Sequence, residues 1–157
     1  MNELEKKVNA LVRICTAQDD VAVGTARQEL DVLLKKEQRR GSAAGVLTGT
    51  RRILRELGVP EHLSGYQYLV EAVVLVIREP AYLRRVTTEL YPAVAKKCGS
   101  TASRVERAIR HAIETAWTRC TLDTIARYFG NTISPTRGKP VNSEFIARVS
   151  SAVLLGE

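Results

Sequence analysis

The chain has 157 residues, of which 45% are hydrophobic and 26% charged, and its formal net charge is +7. That length allows one core of roughly 100 residues and one smaller unit, but no third unit. The sequence has no run of about 18 apolar residues and no secretory leader, so we expect a soluble, cytoplasmic protein that does not use a membrane.

The three cysteines predict free thiols. Cys15, Cys98 and Cys120 are odd in number and lack C-x-x-C spacing, and neither histidine lies within metal-ligand spacing of any of them. We therefore expect reduced cysteines, with no disulfide, no metal site and no cofactor.

The positive charge is concentrated in one stretch of the chain. Residues 84–119 hold eight basic side chains against three acidic ones, a local net charge of +5. A local positive field suits a polyanion such as nucleic acid, although a solvated helix face would carry charge too. Charge alone leaves both interpretations open.

Helical periodicity accounts for the first 57 residues. Apolar side chains recur every three or four residues, Asp19-Asp20 suits the start of a second helix, and Gly58 stops a third. The predicted helices cover about 2–17, 20–37 and 42–57. The apolar stripes of the first two helices predict a helical hairpin or part of a bundle.

The rest of the chain predicts further helices and no strand. Ser64 is placed to cap an apolar helix that Pro80 ends, and no stretch alternates with period two for long enough to form a strand. Later helices are expected at about 81–90, 92–98, 101–119, 121–128 and 143–155, with a loop or hairpin at 133–140. We predict an all-α protein. Its domain boundary should lie within residues 40–60, and we place it so that a helical segment of residues 1–57 precedes a domain of residues 58–157.

The segment from Tyr91 to His111 has the layout of a helix-turn-helix. A first helix is followed by a tight turn that contains Gly99 and Ser/Thr capping residues, and then by a second helix. The second helix is apolar on one face and charged, mostly basic, on the other. The apolar stripe comprises Val105, Ala108, Ile109, Ala112 and Ala116, and the opposite face carries Arg107, Arg110, His111 and Glu114.

The charged face of the second helix suits DNA bases. Arg104 and Arg107 share a ridge near its N-terminal end, where a recognition helix meets base edges. An arginine offers paired donors to guanine, and Glu106 can accept from the amino group of cytosine. Neighbouring polar side chains suited to phosphate oxygens are Ser103, Arg110 and His111. A merely solvated helix with internal ion pairs is the alternative, and the pattern favours DNA.

Several runs within residues 55–157 form a recognisable set. They are Leu90–Lys97 (LYPAVAKK), Ser103–Trp117 (SRVERAIRHAIETAW), Gly138–Ile146 (GKPVNSEFI), Gly58–Pro60 (GVP) and Gly65–Leu69 (GYQYL). The set closely resembles the C-terminal effector domain of the sporulation response regulators, the stage zero sporulation protein A family. The resemblance implies a six-helix domain that binds a short TGTCGAA-like box in double-stranded DNA, often as tandem copies.

The resemblance also implies roles for individual positions. Arg104, Glu106 and Arg107 look like the base-reading residues of the family. The positions that look like its neighbouring polar or DNA-backbone-contacting residues are Ser103, Arg110, His111, Lys139, Asn142 and Ser143. The chain departs from the family at Ala102, where proline is usual, and at Cys98-Gly99 in the turn. These departures bear on fine base preference more than on DNA binding.

The first 57 residues differ from the family's full-length regulators. Those regulators carry an α/β receiver domain that accepts a phosphoryl group, and the helical segment here is too short for one. We therefore expect a regulator that acts without receiver phosphorylation and forms a homodimer through its N-terminal helices. An interaction protein that contacts a full-length regulator is the alternative. The sequence has no Gly-rich phosphate loop, nucleophile elbow or metal-spaced cluster, so we expect neither enzymatic activity nor a small-molecule substrate.

Overall fold

The computed structural model describes residues 2–16, 19–130 and 138–157. These residues form eight α-helices and no strand, which confirms the predicted all-α class. The helices are α1 (Glu3–Thr16), α2 (Asp20–Gly41), α3 (Ala43–Glu56), α4 (Ser64–Arg78), α5 (Tyr91–Cys98), α6 (Ala102–Arg119), α7 (Leu122–Phe129) and α8 (Asn142–Leu155). None of the described helices has the length and apolar character needed to cross a membrane.

The chain divides into two compact units, Met1–Ala44 and Gly45–Glu157. The observed division lies within the predicted 40–60 interval but before the expected position at 57/58. The reason is that α3 packs Ile53 and Leu54 into the core of the larger unit, and Leu57, directly after the helix, is almost fully buried there too. The predicted segment 1–57 is therefore corrected: α3 belongs with the larger unit.

The smaller unit is a hairpin of two antiparallel helices, as predicted. Ion pairs cross between α1 and α2 in antiparallel order, from Glu3 to Lys36 at 3.7 Å and from Arg13 to Glu29. The Asp19 side chain accepts a hydrogen bond from the Ala22 backbone N–H at 2.7 Å, which caps the start of α2. Helix α2 ends within the stop and linker predicted over residues 38–42, but late in that range, because it continues to Gly41 and Ser42 forms its cap.

The larger unit is built around α4, which packs against α6 and α8. Gly65 lies so close to α6 that a Cβ atom there would be 2.1 Å from the Ala108 carbonyl oxygen. An aromatic cluster joins α6, α7 and α8: Trp117 meets Phe129 edge to face with 5.1 Å between ring centroids, and Phe129 lies 5.7 Å from Phe145. Helix α6 is therefore held by α4 at Gly65 and by the aromatic cluster at Trp117.

Three local features differ from the sequence prediction. Helix α4 begins at Ser64, but Leu63 occupies the cap position and makes no side-chain cap hydrogen bond. The helix expected over 81–90 is replaced by a 3₁₀ turn, Pro80–Arg84, and a π-helical turn, Val86–Leu90. Most of the loop expected at 133–140 lies outside the described residues.

The three cysteines are free thiols in the structure. Cys15 is exposed, whereas burial raises the pKa of the Cys98 and Cys120 thiols. A raised pKa keeps a thiol protonated and unreactive at neutral pH.

Candidate nucleic-acid interface

The turn between α5 and α6 has the predicted helix-turn-helix chemistry. Gly99 adopts a left-handed conformation with φ +61°, and the Ser100 N–H donates to the Ala95 carbonyl at 2.9 Å. The Thr101 hydroxyl then accepts from the Arg104 N–H at 3.3 Å and caps α6. Helix α5 thus ends and α6 begins within three residues, and the two helices pack against each other.

Helix α6 turns its charged face away from the core. Its stripe residues Val105, Ile109, Ala112 and Ala116 are almost fully buried, and Ala108 is half-buried. The predicted DNA-contacting side chains that are exposed on this helix are Ser103, Arg104, Arg107, Arg110 and His111. The structure thus brings these five residues together on one solvent-facing surface.

The exposed arginines of α6 differ in their partners. Arg110 lies 3.9 Å from Glu106, and both side chains are about half exposed. Such a surface pair contributes little, so neither group is withheld from another partner. Arg104 and Arg107 have no ion-pair partner among the residues that the structure describes. Two guanidinium groups near the start of α6 are therefore free to bind an external acceptor.

The segment that leads into α8 is anchored to α6. The indole N–H of Trp117 donates to the Gly138 carbonyl, and Lys139 next to it is exposed. Ser143 is half-buried in the first turn of α8. Free N–H groups in the first turn of a helix suit a phosphate. Lys139 and Ser143 thus occupy positions compatible with the predicted backbone contacts.

Asn142 has a different environment from the one its predicted role requires. Its side chain is only 4% exposed, and its amide nitrogen donates to the Tyr91 hydroxyl and to the Glu106 carbonyl, each at 3.1 Å. Burial raises the pKa of the Tyr91 phenol, so the hydroxyl stays protonated. The Asn142 side chain links α8 to α5 and α6, and at this position only the backbone N–H remains for a phosphate.

Open grooves flank α6 on two sides. One, of about 520 Å³, lies between the α4 residues Ser64 and Tyr68 and the α6 residues Arg104, Arg107 and His111. The other, of about 450 Å³, lies beside Arg110 and includes the start of α8. Arginines line both grooves, so basic side chains flank α6 on each side. A recognition helix in the DNA major groove meets a phosphate strand on each side, and this arrangement is compatible with it.

A comparison with known protein families agrees with this geometry. A family model described as "Sporulation initiation factor Spo0A C terminal" matches residues 50–153. The chain belongs to that family. The resemblance seen in the sequence is thereby confirmed, and the larger unit is a DNA-binding effector domain of the sporulation-regulator kind. The matched region includes the helix-turn-helix and the start of α8 and leaves α1 and α2 outside.

Proposed function

We propose that this chain is a sequence-specific, DNA-binding transcription regulator that reads a TGTCGAA-like box with α6 and acts without receiver phosphorylation. The observation that carries the proposal is the pair of exposed arginines, Arg104 and Arg107, which lack an ion-pair partner among the described residues. Each guanidinium can donate two hydrogen bonds to a guanine. Such a protein acts at the nucleoid, in the cytoplasm.

The remaining residues of the surface complete the proposed contact. Glu106 accepts from a cytosine amino group once its weak pair with Arg110 opens. The groups proposed to contact the DNA backbone are the side chains of Ser103, Arg110, His111, Lys139 and Ser143 and the backbone N–H of Asn142. Backbone contacts of this kind fix the position of the protein, whereas the base contacts select the sequence.

Alanine substitution at the two arginines tests the proposal. Fluorescence anisotropy would compare binding to a TGTCGAA box and to a scrambled duplex at one salt concentration. Arg104→Ala and Arg107→Ala should each cost about 1–3 kcal/mol at the box, or roughly 5-fold to 150-fold in Kd, and much less on scrambled DNA. Arg119→Ala, which removes the same charge from the exposed C-terminal end of α6, is the control. Equal discrimination in all three variants and the wild type would contradict the base-reading role.

The exposed stripe of α1 supports a homodimer. Leu4, Val8, Leu11 and Val12 form the apolar stripe of this helix, yet they are 48–68% exposed. Within the hairpin, α1 faces α2 through a different set of residues, of which only Ala10 is almost fully buried. Full burial of a Val or Leu side chain contributes roughly 1.5–3 kcal/mol relative to exposure. A second copy would cover the same stripe on both chains and place two effector domains on tandem boxes without phosphorylation.

A charge placed on this stripe tests the homodimer. Light scattering at micromolar concentration should show a dimer for the wild type and a monomer for Leu11→Glu. Leu122→Glu, at a side chain of α7 that is 83% exposed, is the matched control and should stay dimeric. The Leu11 variant should also bind tandem boxes less tightly. A monomeric wild type would contradict the homodimer, and the same stripe would then favour the alternative of an interaction protein that contacts a full-length regulator.

A further inference from the structure

A groove beside α6 collects three arginines from two separate parts of the chain. Arg84 ends the 3₁₀ turn, Arg85 follows it, and Arg110 lies on the exposed face of α6. All three line the 450 Å³ groove. Its floor is held by the buried hydrogen bond from Asn142 to Tyr91. The positive side chains are thus gathered around a fixed concave surface.

The charges in this groove are incompletely neutralised. Arg85 pairs with Glu89 at 2.6 Å and Arg110 lies 3.9 Å from Glu106, and both pairs are on the surface. Arg84 is exposed and has no ion-pair partner in the described part of the chain. Among the described residues that line the groove, three are arginines and none is acidic, so its surface favours an anion.

On the surface of α6, this groove lies on the other side of Arg107 from Arg104 and His111. Arg104 and Arg110 are six residues apart, which at 100° per residue separates them by about 120° around the helix. A recognition helix in the major groove has a phosphate strand on each side, about 12 Å apart. On a bound duplex, Arg110 and the adjoining groove would therefore lie toward a different strand from Arg104 and His111.

We propose that Arg84 binds a backbone phosphate of DNA in this groove, on the α8 side of the recognition helix. This inference rests on the proposed function and adds to it a contact outside α6 and α8. Arginine donates a planar pair of hydrogen bonds to phosphate, and exposed Arg84 needs to break no ion pair to do so. The contact carries no sequence information, since every nucleotide offers the same phosphate.

The salt dependence of binding tests the contact in the full chain. The slope of log K against log salt should become shallower by about 0.9 in Arg84→Ala, because one fewer counterion is released. Arg84→Lys should keep most of the slope, since the charge is retained, and Arg119→Ala should keep all of it. Arg84→Ala should weaken binding to the box and to scrambled DNA by the same factor, leaving their ratio unchanged.

Neutralised DNA identifies the partner phosphate. Duplexes that carry a single methylphosphonate, moved stepwise along the backbone beside the box, should include one that weakens the wild type but not Arg84→Ala. Free inorganic phosphate has the same hydrogen-bond acceptors as a backbone phosphate. If the groove bound only the free anion, no methylphosphonate position would weaken the wild type selectively, and the proposed contact would be overturned. If the wild type discriminates the box but Arg84→Ala keeps the same salt slope as Arg119→Ala, this contact alone is overturned. A wild type that does not discriminate the box overturns the proposed function as well.

Discussion

Gly65 is the position where a single methyl group should disturb the recognition helix most. A Cβ atom there would lie 2.1 Å from the Ala108 carbonyl oxygen and 2.7 Å from the Ala112 Cβ, where separations under 3.0 Å are essentially never seen. Helix α4 would have to move about 1 Å away from α6, and both obstructing groups belong to a packed helix rather than to a flexible side chain. Overpacking of this kind costs about 1–3 kcal/mol and at times more.

The expected result for Gly65→Ala is a loss of about 3 kcal/mol in the free energy of unfolding, the upper end of that range, because backbone is obstructed. For a unit of this size the loss corresponds to a fall of roughly 10 °C in Tm, measured by circular dichroism. Discrimination of the box should also fall in the folded variant, since Ala108 is adjacent to Arg107.

Gly49→Ala in α3 is the matched control for this substitution. Its Cβ would meet Val153 at 3.4 Å, an ordinary contact, and alanine should raise helix stability by up to about 1 kcal/mol. An unchanged Tm for Gly65→Ala, or the same change in both variants, would refute the reasoning that α4 and α6 are in closest contact at this glycine.

Three further outcomes are expected. Lys139→Ala should flatten the salt dependence of DNA binding by about 0.9 in the log-log slope, as measured by anisotropy titrations, if its exposed ammonium meets a phosphate. The pKa of Glu56 is lowered by the Tyr128 hydroxyl, which donates a hydrogen bond to its carboxylate, and by Arg52. Ionised Glu56 therefore stabilises the fold above the ordinary glutamate pKa, and this stabilisation is lost as pH falls through the lowered pKa of the folded protein. In urea unfolding, the stability of Glu56→Gln should depend less on acid pH than that of the wild type. Gly24→Ala should stabilise the hairpin by up to about 1 kcal/mol in thermal melts, since no atom lies within 4 Å of the added Cβ.

Local chemistry explains why much of the fold was predictable. Asp19, Thr101 and Gly99 act through hydrogen bonds or backbone conformations within four residues, and such signals are visible in the sequence. The faces of α6 were predictable for a related reason, because a long amphipathic helix has a strong 3.6-residue period. The resemblance to the family supplied the site residues that lie outside α6.

Contacts between distant segments explain what the sequence did not show. Asn142 looks like a surface residue at the start of a helix, but its partners are 36 and 51 residues away in the chain. The contribution of Arg84 to a groove depends on the turn before α5, and that turn was predicted as an ordinary helix. In α1 the apolar stripe was visible, yet the hairpin uses another face, a choice that depends on the packing of α2.

The hydrogen bonds of Asn142 have a consequence for how DNA shape is read. Because one amide nitrogen joins α8 to both α5 and α6, the start of α8 and the arginines of α6 keep their separation before DNA is bound. The spacing between the two sets of contacts is then a property of the protein, and the duplex must match it. Groove width varies with sequence outside the contacted bases, and deforming a stiff duplex costs energy. Boxes identical in sequence but flanked by different steps should therefore differ in affinity, so the flanking DNA forms part of the recognised site.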